Sequence, residues 1–395
     1  MTSIQRHGPE LALGNRIEYR PQLDGIRFVA VLVVLIFHSF NSLQGRGLLI
    51  DFTTFISFFF VLSGYLITKT LFAAKEKGAQ EGQPKKGIGL RFLARRTLRI
   101  FPAYYVYLIL IMLVPVGGTY ARIHSVSLFL YISNFQSYAD QVWGHITLHL
   151  WTLAVEEQFY LIWPWLIIFI PNKYLPRVFM AVIAIGVLFR FISFAFFQDF
   201  ANRTVHITII TPACLDSFGL GALLAYQHFF VRRSNPRLTR AFMILIPVWF
   251  LLIFSGPPLM IFTFVRLLIG VFSLFLIERT NIGFDNKLGK FLESRVPLYL
   301  GRISYGIYLY HLLARALFRS VMSRLSNTAA HQGIDLTILK NFLSNRWVDF
   351  CVDFILAVAL ASLSWYLLEK PLNGLRRYIR YSGKITPLPV VAETK

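Results

Sequence analysis

The chain has 395 residues, of which 56% are hydrophobic, 16% aromatic and 15% charged, and its formal net charge is +21. With a mean hydropathy of +0.57, apolar side chains far exceed what one soluble core can bury, which excludes an ordinary water-soluble domain. The cations sit at alternate loops and form no single local patch, which argues against a nucleic-acid partner and for a chain whose charge sets its orientation in lipid.

A membrane span takes roughly 20 mostly apolar residues. Ten such windows run along the chain: Asp24 to Leu43, Phe52 to Ala73, Arg95 to Pro115, Leu148 to Ile170, Val178 to Phe197, Thr208 to Phe230, Ala241 to Phe254, Leu259 to Ile277, Tyr299 to Val321 and Asp349 to Glu369. Their apolar runs are continuous and show no alternation, which selects helices over a closed barrel. The expected fold is an all-α, polytopic integral membrane bundle of about ten transmembrane helices. About 27 Lys and Arg fall in the N-terminal arm, the tail and every second loop, and about six in the other loops. By the positive-inside rule both termini are cytoplasmic and the number of spans is even.

The expected domains are a cytoplasmic arm over 1–22, a membrane domain over 23–375 and a cytoplasmic tail over 376–395. The arm carries Arg6, His7, Pro9, Glu10 and Arg16 and no apolar stretch, so no cleavable signal peptide is expected and the first span acts as its own insertion signal. Lys75 to Gly89 reads as a solvated linker, and Ser323 to Asn345 as an outer segment long enough to cover part of the external mouth. No internal repeat and no appended soluble domain is expected. Cys214 and Cys351 both fall inside predicted spans, so neither a disulfide framework nor a Cys-based metal site is indicated.

Ionisable groups inside a span cost roughly 2.5 to 3.5 kcal/mol each, which makes each a candidate for function. Asp24-Gly25-Ile26-Arg27 opens the first span and His38 closes it, roughly 16 Å further along the helix. Arg27 is either a snorkelling cation or a ligand for an anion. His38 is either a packing residue or a catalytic one. Arg95, Arg96 and Arg99 open the third span, joined by Arg91; such guanidinium groups suit phosphate, and equally suit lipid headgroups. In the fourth span His149, Thr152, Glu156 and Tyr160 share one helical face. Glu156 and Glu157 reach the depth of His38 from the opposite direction, because the two spans run opposite ways. Asp216 in the sixth span and His311 in the ninth lie at similar depth and are further buried polar candidates. Gly219 and Gly221 read as packing residues for close helices. His145, His149 and Glu156 could in principle ligate zinc, but no metal site is expected.

Taken together the pattern resembles the membrane-bound acyltransferase-3 family from Arg20 to Leu375. The pieces are Leu23-Asp24-Gly25-Ile26-Arg27 with His38 eleven residues later, Phe58 to Ile67, Arg96-Thr97-Leu98-Arg99-Ile100-Phe101-Pro102, Trp151 to Tyr160, Tyr305 to His311 and Glu369-Lys370-Pro371. The resemblance implies a ten-helix enzyme of the bacterial inner membrane. Such an enzyme carries an acyl group, most simply acetyl, from acyl-CoA to a hydroxyl of a carbohydrate or glycolipid acceptor: lipopolysaccharide O-antigen, exopolysaccharide, peptidoglycan or a lipochitooligosaccharide. Acyl-CoA is then a co-substrate and no tightly bound cofactor is expected. Some members of that family carry an additional hydrolase-like domain, whereas this chain is expected to act without one.

On this basis Arg96 and Arg99, helped by Arg27 or Arg95, hold the donor's phosphates. His38 takes the acceptor hydroxyl proton, and Glu156 or Glu157 orients the imidazole. An acyl-histidine intermediate is the other route. The competing class is a proton-coupled secondary transporter using the same buried groups, which gives no reason for the arginine cluster and is often built from repeated halves. A non-catalytic scaffold leaves the intramembrane charges unexplained.

Overall fold

The computed structural model of the chain describes residues 20–40, 52–114, 118–142, 144–196, 207–231, 236–335 and 337–379. Nearly all of the expected N-terminal arm and most of the expected tail lie outside the described residues. The described residues form helices, turns and short connections, with no strand among them.

Ten helices of 16 or more residues occur among the described residues: α1 (Pro21–Ser39), α2 (Phe52–Gln80), α3 (Lys85–Leu113), α4 (Leu150–Phe169), α5 (Leu175–Phe196), α6 (Thr211–Tyr226), α7 (Pro236–Ser255), α8 (Pro258–Ile282), α9 (Ser304–His331) and α10 (Arg346–Ser364). Each overlaps one apolar window of the sequence. Six of them (α1, α2, α3, α5, α8 and α10) are long and apolar enough to cross a membrane. Outside that set are α4 with its Glu156, Glu157 and Gln158, the 16-residue α6, α7, and α9, which carries Arg315, Arg319 and Arg324 from its middle onward.

Pro102, Pro164 and Pro247 lie inside α3, α4 and α7. A membrane bundle tolerates such prolines because neighbouring helices take up the freed backbone groups. The segment expected to be a solvated linker and the one expected to lie over the external mouth are both largely helical. Between α2 and α3 only Glu81 to Pro84 separate the helices, with Gly82 at φ +64° making the turn. Here Lys75 donates to the carbonyls of Ile167 and Ile170 and to Asn172, each at 2.8 Å. It thereby caps the end of α4, where helix carbonyls have no partners of their own. The segment after Ser323 is likewise α9 continuing to His331, followed by a short helix Thr337–Ser344.

Close approach of α2 and α6 explains two of the glycines of the sequence. A Cβ on Gly221 of α6 would lie 2.0 Å from the Val61 carbonyl of α2, and one on Gly64 of α2 would lie 2.3 Å from the Phe218 carbonyl. The two backbones therefore touch, as small residues allow in membranes. Beside this seam the rings of Phe60, Phe218, Phe159, Trp163 and Phe179 follow one another at centroid distances of 4.9, 4.0, 4.6 and 5.5 Å, joining α2, α6, α4 and α5. Asp216 belongs to this packing region. Its carboxylate accepts from Arg190 at 2.6 Å, and Arg190 also donates to the carbonyls of Ala213 and Thr263, tying α5, α6 and α8 together around a fully buried ion pair.

Gly221→Val is expected to cost about 1–3 kcal/mol or more from overpacking and to lower the thermal unfolding midpoint of the detergent-solubilised protein. Gly374→Ala, where an added Cβ meets nothing within 4 Å, is the control that leaves the midpoint in place.

Candidate active site

A cavity of about 450 Å³ opens among α1, α2, α3, α4 and α9, within the size range of small-molecule sites. Its lower wall is basic. Arg95, Arg96 and Arg99 come from the middle turns of α3, Arg27 from α1, Arg20 from just before α1 and Arg376 from the segment after α10. Asp24 shares this wall and pairs with Arg27 at 3.4 Å. The sequence brings Arg95 and Arg99 to one face because they are one helical turn apart. Sequence reasoning does not single out Arg20 or Arg376 as site residues, since each counts there only as a loop cation. Arg95 also acts as a structural donor: it hydrogen-bonds the carbonyls of Arg376 and Ile379 at 3.2 and 2.9 Å, which holds the chain after α10 against the cavity.

Above the arginines stand the two carboxylates of α4. Glu156 accepts one hydrogen bond from Ser63 of α2 and one from Tyr160 a turn below it, both at 2.9 Å, and Tyr160 lies 3.1 Å from Ser63. The Arg96 guanidinium stacks on the Tyr160 ring at 4.3 Å, a cation–π contact that places positive charge beneath the Glu156 pocket. Glu157 also lines the cavity, and its Oε1 has no hydrogen-bond partner among the described residues. One acid of the pair is thus held by two donors while the other keeps an open acceptor.

Three imidazoles form a second cluster. His38, at the end of α1, lies with its ring 5.2 Å from that of His311 on α9, and His311 lies 4.9 Å from His149, which precedes α4. All three are buried. Carbonyl oxygens only accept, which fixes the proton on two of these rings. His149 Nε2 donates to the Leu309 carbonyl at 3.0 Å, and His311 Nδ1 donates to the Tyr308 carbonyl at 2.6 Å. In the neutral rings His149 Nδ1 and His311 Nε2 therefore carry lone pairs, and neither has a partner among the described residues.

Between the clusters stands Tyr308. It lines the cavity, its hydroxyl lies 2.8 Å from Thr152 Oγ1 and donates to the His149 carbonyl at 3.1 Å, and its ring packs 5.3 Å from His149 and 5.7 Å from His311. The structure thus gathers Asp24, Arg27, Arg95, Arg96, Arg99, Glu156 and Glu157 around the cavity, and His38, His149 and His311 behind Tyr308, off the cavity lining. Asp216 belongs to neither group. His145 is exposed, apart from the buried His149, and among the described residues no group of three or more His, Cys, Asp or Glu is placed to hold a metal.

Residues 20–366 match the family model described as an acyltransferase domain, acyltransferase-3. The chain belongs to the acyltransferase-3 family. This acyltransferase-3 chain is similar to the peptidoglycan O-acetyltransferase OatA of Listeria monocytogenes serovar 1/2a, with 30% identity over 321 residues covering 74% of this chain and 49% of that protein. It is also similar to the O-acetyltransferase OatA of Staphylococcus aureus strain NCTC 8325, with 27% identity over 316 residues covering 74% of this chain and 50% of that protein. The acyltransferase-3 chain spans about half the length of these curated relatives. No solved structure matches it.

The Glu156 pocket yields a direct expectation. Hydrogen bonds to a charged group contribute about 1.5–3 kcal/mol. Tyr160→Phe removes one donor from Glu156, and the rate of acyl transfer by membranes carrying the variant is expected to fall by about 10-fold or more. A rate unchanged by Tyr160→Phe together with Ser63→Ala would show that Glu156 needs neither donor.

Proposed function

We propose that the protein transfers an acetyl group from acetyl-CoA to a hydroxyl of a cell-surface carbohydrate at the bacterial cytoplasmic membrane, and that all ten long helices are spans with both termini in the cytoplasm. The observation that carries this reading is the cavity itself: arginines at one end, carboxylates at the other and three imidazoles behind its far wall. A donor with a 3′-phosphate and a diphosphate matches the basic end, since guanidinium groups bind phosphate through paired hydrogen bonds. The uncharged pantetheine arm suits the apolar middle of the same cavity, where Phe59, Phe60, Leu66 and Ile100 line it. The thioester then reaches Tyr308, with the histidines behind that ring.

In the proposed reaction the acceptor oxygen attacks the thioester carbonyl while its proton passes to His38. The carbon–sulfur bond breaks, and the leaving thiolate of CoA takes the proton back from the imidazolium. Glu157, with its open oxygen, is placed to stabilise positive charge that develops above the cavity, and Glu156 to keep Arg96 and Tyr160 in register beneath it. The acceptor is a carbohydrate by analogy with the relatives' names. Peptidoglycan is the first candidate, and lipopolysaccharide O-antigen and exopolysaccharide share the same hydroxyl chemistry.

Arg96→Gln and Arg99→Gln are expected each to weaken acetyl-CoA binding to the purified protein by about 10-fold or more, and to reduce its dependence on salt, because phosphate pairing between partly solvated groups is screened. His38→Ala is expected to leave binding in place and to abolish acetyl transfer, read as loss of the ester acetyl mass from surface glycans. Unaltered binding in both arginine variants would return those residues to a purely topological role.

A further inference from the structure

The end of α1 is held by an ion pair that no sequence motif of the site includes. Helix α1 stops at Ser39, and the Phe40 amide bonds back to the Ile36 carbonyl. The last carbonyls of a helix lie beyond the reach of its own amides and take donors from outside it. Arg315 of α9 meets this need at one residue in particular. It donates to the His38 carbonyl at 3.2 Å and to Ser39 Oγ at 2.5 Å, while its Nε donates to Asp353 of α10 at 2.5 Å. Arg315 is largely sheltered and Asp353 is buried, so the pairing is sheltered from solvent screening.

The spacing on α9 gives the contact its meaning. Arg315 is four residues after His311, so the two side chains share one face of the helix. One grips the backbone of His38 while the other packs against its ring at 5.2 Å. Asp353 fixes the guanidinium from the third side and cancels its charge, so that the clamp does not present a bare cation to the imidazole. Helix α1 is thus fastened to α9 and α10 at the residue whose ring has to meet the thioester.

We propose that Arg315 and Asp353 are positioning residues that set the height and orientation of the His38 imidazole for acyl transfer. The inference rests on the reading of His38 as the proton acceptor of the reaction. Misplacement of a reacting group by about 1 Å costs on the order of 100-fold in rate, and that is the effect expected when the clamp is cut.

The test uses full-length protein in inside-out membrane vesicles of the source cells, which expose the donor site and carry the native acceptors, with radiolabelled acetyl-CoA as the probe and base-labile label as the readout. Arg315→Met and Asp353→Asn are expected to lower kcat about 100-fold while KM for acetyl-CoA changes less than about twofold. Arg315→Lys, which can still reach the His38 carbonyl, is expected to recover part of the loss, and added methylguanidinium is expected to raise the rate of Arg315→Met and not that of His38→Ala. A normal kcat in Arg315→Met overturns the proposal. So does a joint loss of kcat and acetyl-CoA affinity that neither Lys nor methylguanidinium repairs, because that pattern describes a residue needed only for folding. His38→Ala separates the two ideas: full transfer by that variant removes the underlying reading, whereas no transfer by it alongside normal transfer by Arg315→Met removes the clamp alone.

Discussion

The arrangement depends on one constraint: a charged or strongly polar group within an apolar helix bundle must find its partner inside the protein. The buried groups of this bundle obey it in different ways. Asp216 is consumed by Arg190, Glu156 by Ser63 and Tyr160, and Arg315 by Asp353 and the end of α1. Among the described residues several buried polar atoms have no hydrogen-bond partner. Of these, Glu157 Oε1, His149 Nδ1 and His311 Nε2 lie at or just behind the upper wall of the arginine-lined cavity. Packing accounts for the first set, and chemistry is the better account of the second.

In the proposed reaction the two clusters divide the labour of a transfer across a barrier. Arginines gathered at one end suit a polyanionic donor that stays on its own side, and imidazoles beyond Tyr308 suit proton transfer to and from an acceptor on the other. Tyr308 touches both, through the cavity lining and through His149 and His311. Its hydrogen bonds to Thr152 and to the His149 carbonyl fix it as part of the partition between the clusters.

Much of the architecture is legible in the sequence because lipid imposes simple rules. Each of the ten apolar windows overlaps a long helix, and the helical periods of α3 and α4 place Arg95 with Arg99, and Glu156 with Tyr160, on common faces. Less legible is everything that depends on which helices are neighbours. Nothing local marks Arg20 or Arg376 as cavity residues, since a cation beside a span is ordinary. Nor does the sequence show that Asp216 faces Arg190 rather than the arginine cluster, because depth along a helix leaves its rotational setting open. Arg315 and Asp353 escape notice for the same reason, lying 38 residues apart on α9 and α10 and meeting only once those helices pack. The stretch after Lys75 looks like a linker because its composition is polar, yet Lys75 bridges to the end of α4 and the helix continues.

The central claim is that one donor molecule spans from the arginines to the wall beneath the three histidines. A density map of the purified protein with a non-transferable thioether analogue of acetyl-CoA tests it most directly. The account predicts phosphate density on Arg96 and Arg99 and the acyl end against Tyr308, within reach of His38 once that ring turns aside. Phosphates bound away from α3, or an acyl end directed away from α9 and the three imidazoles, would contradict it.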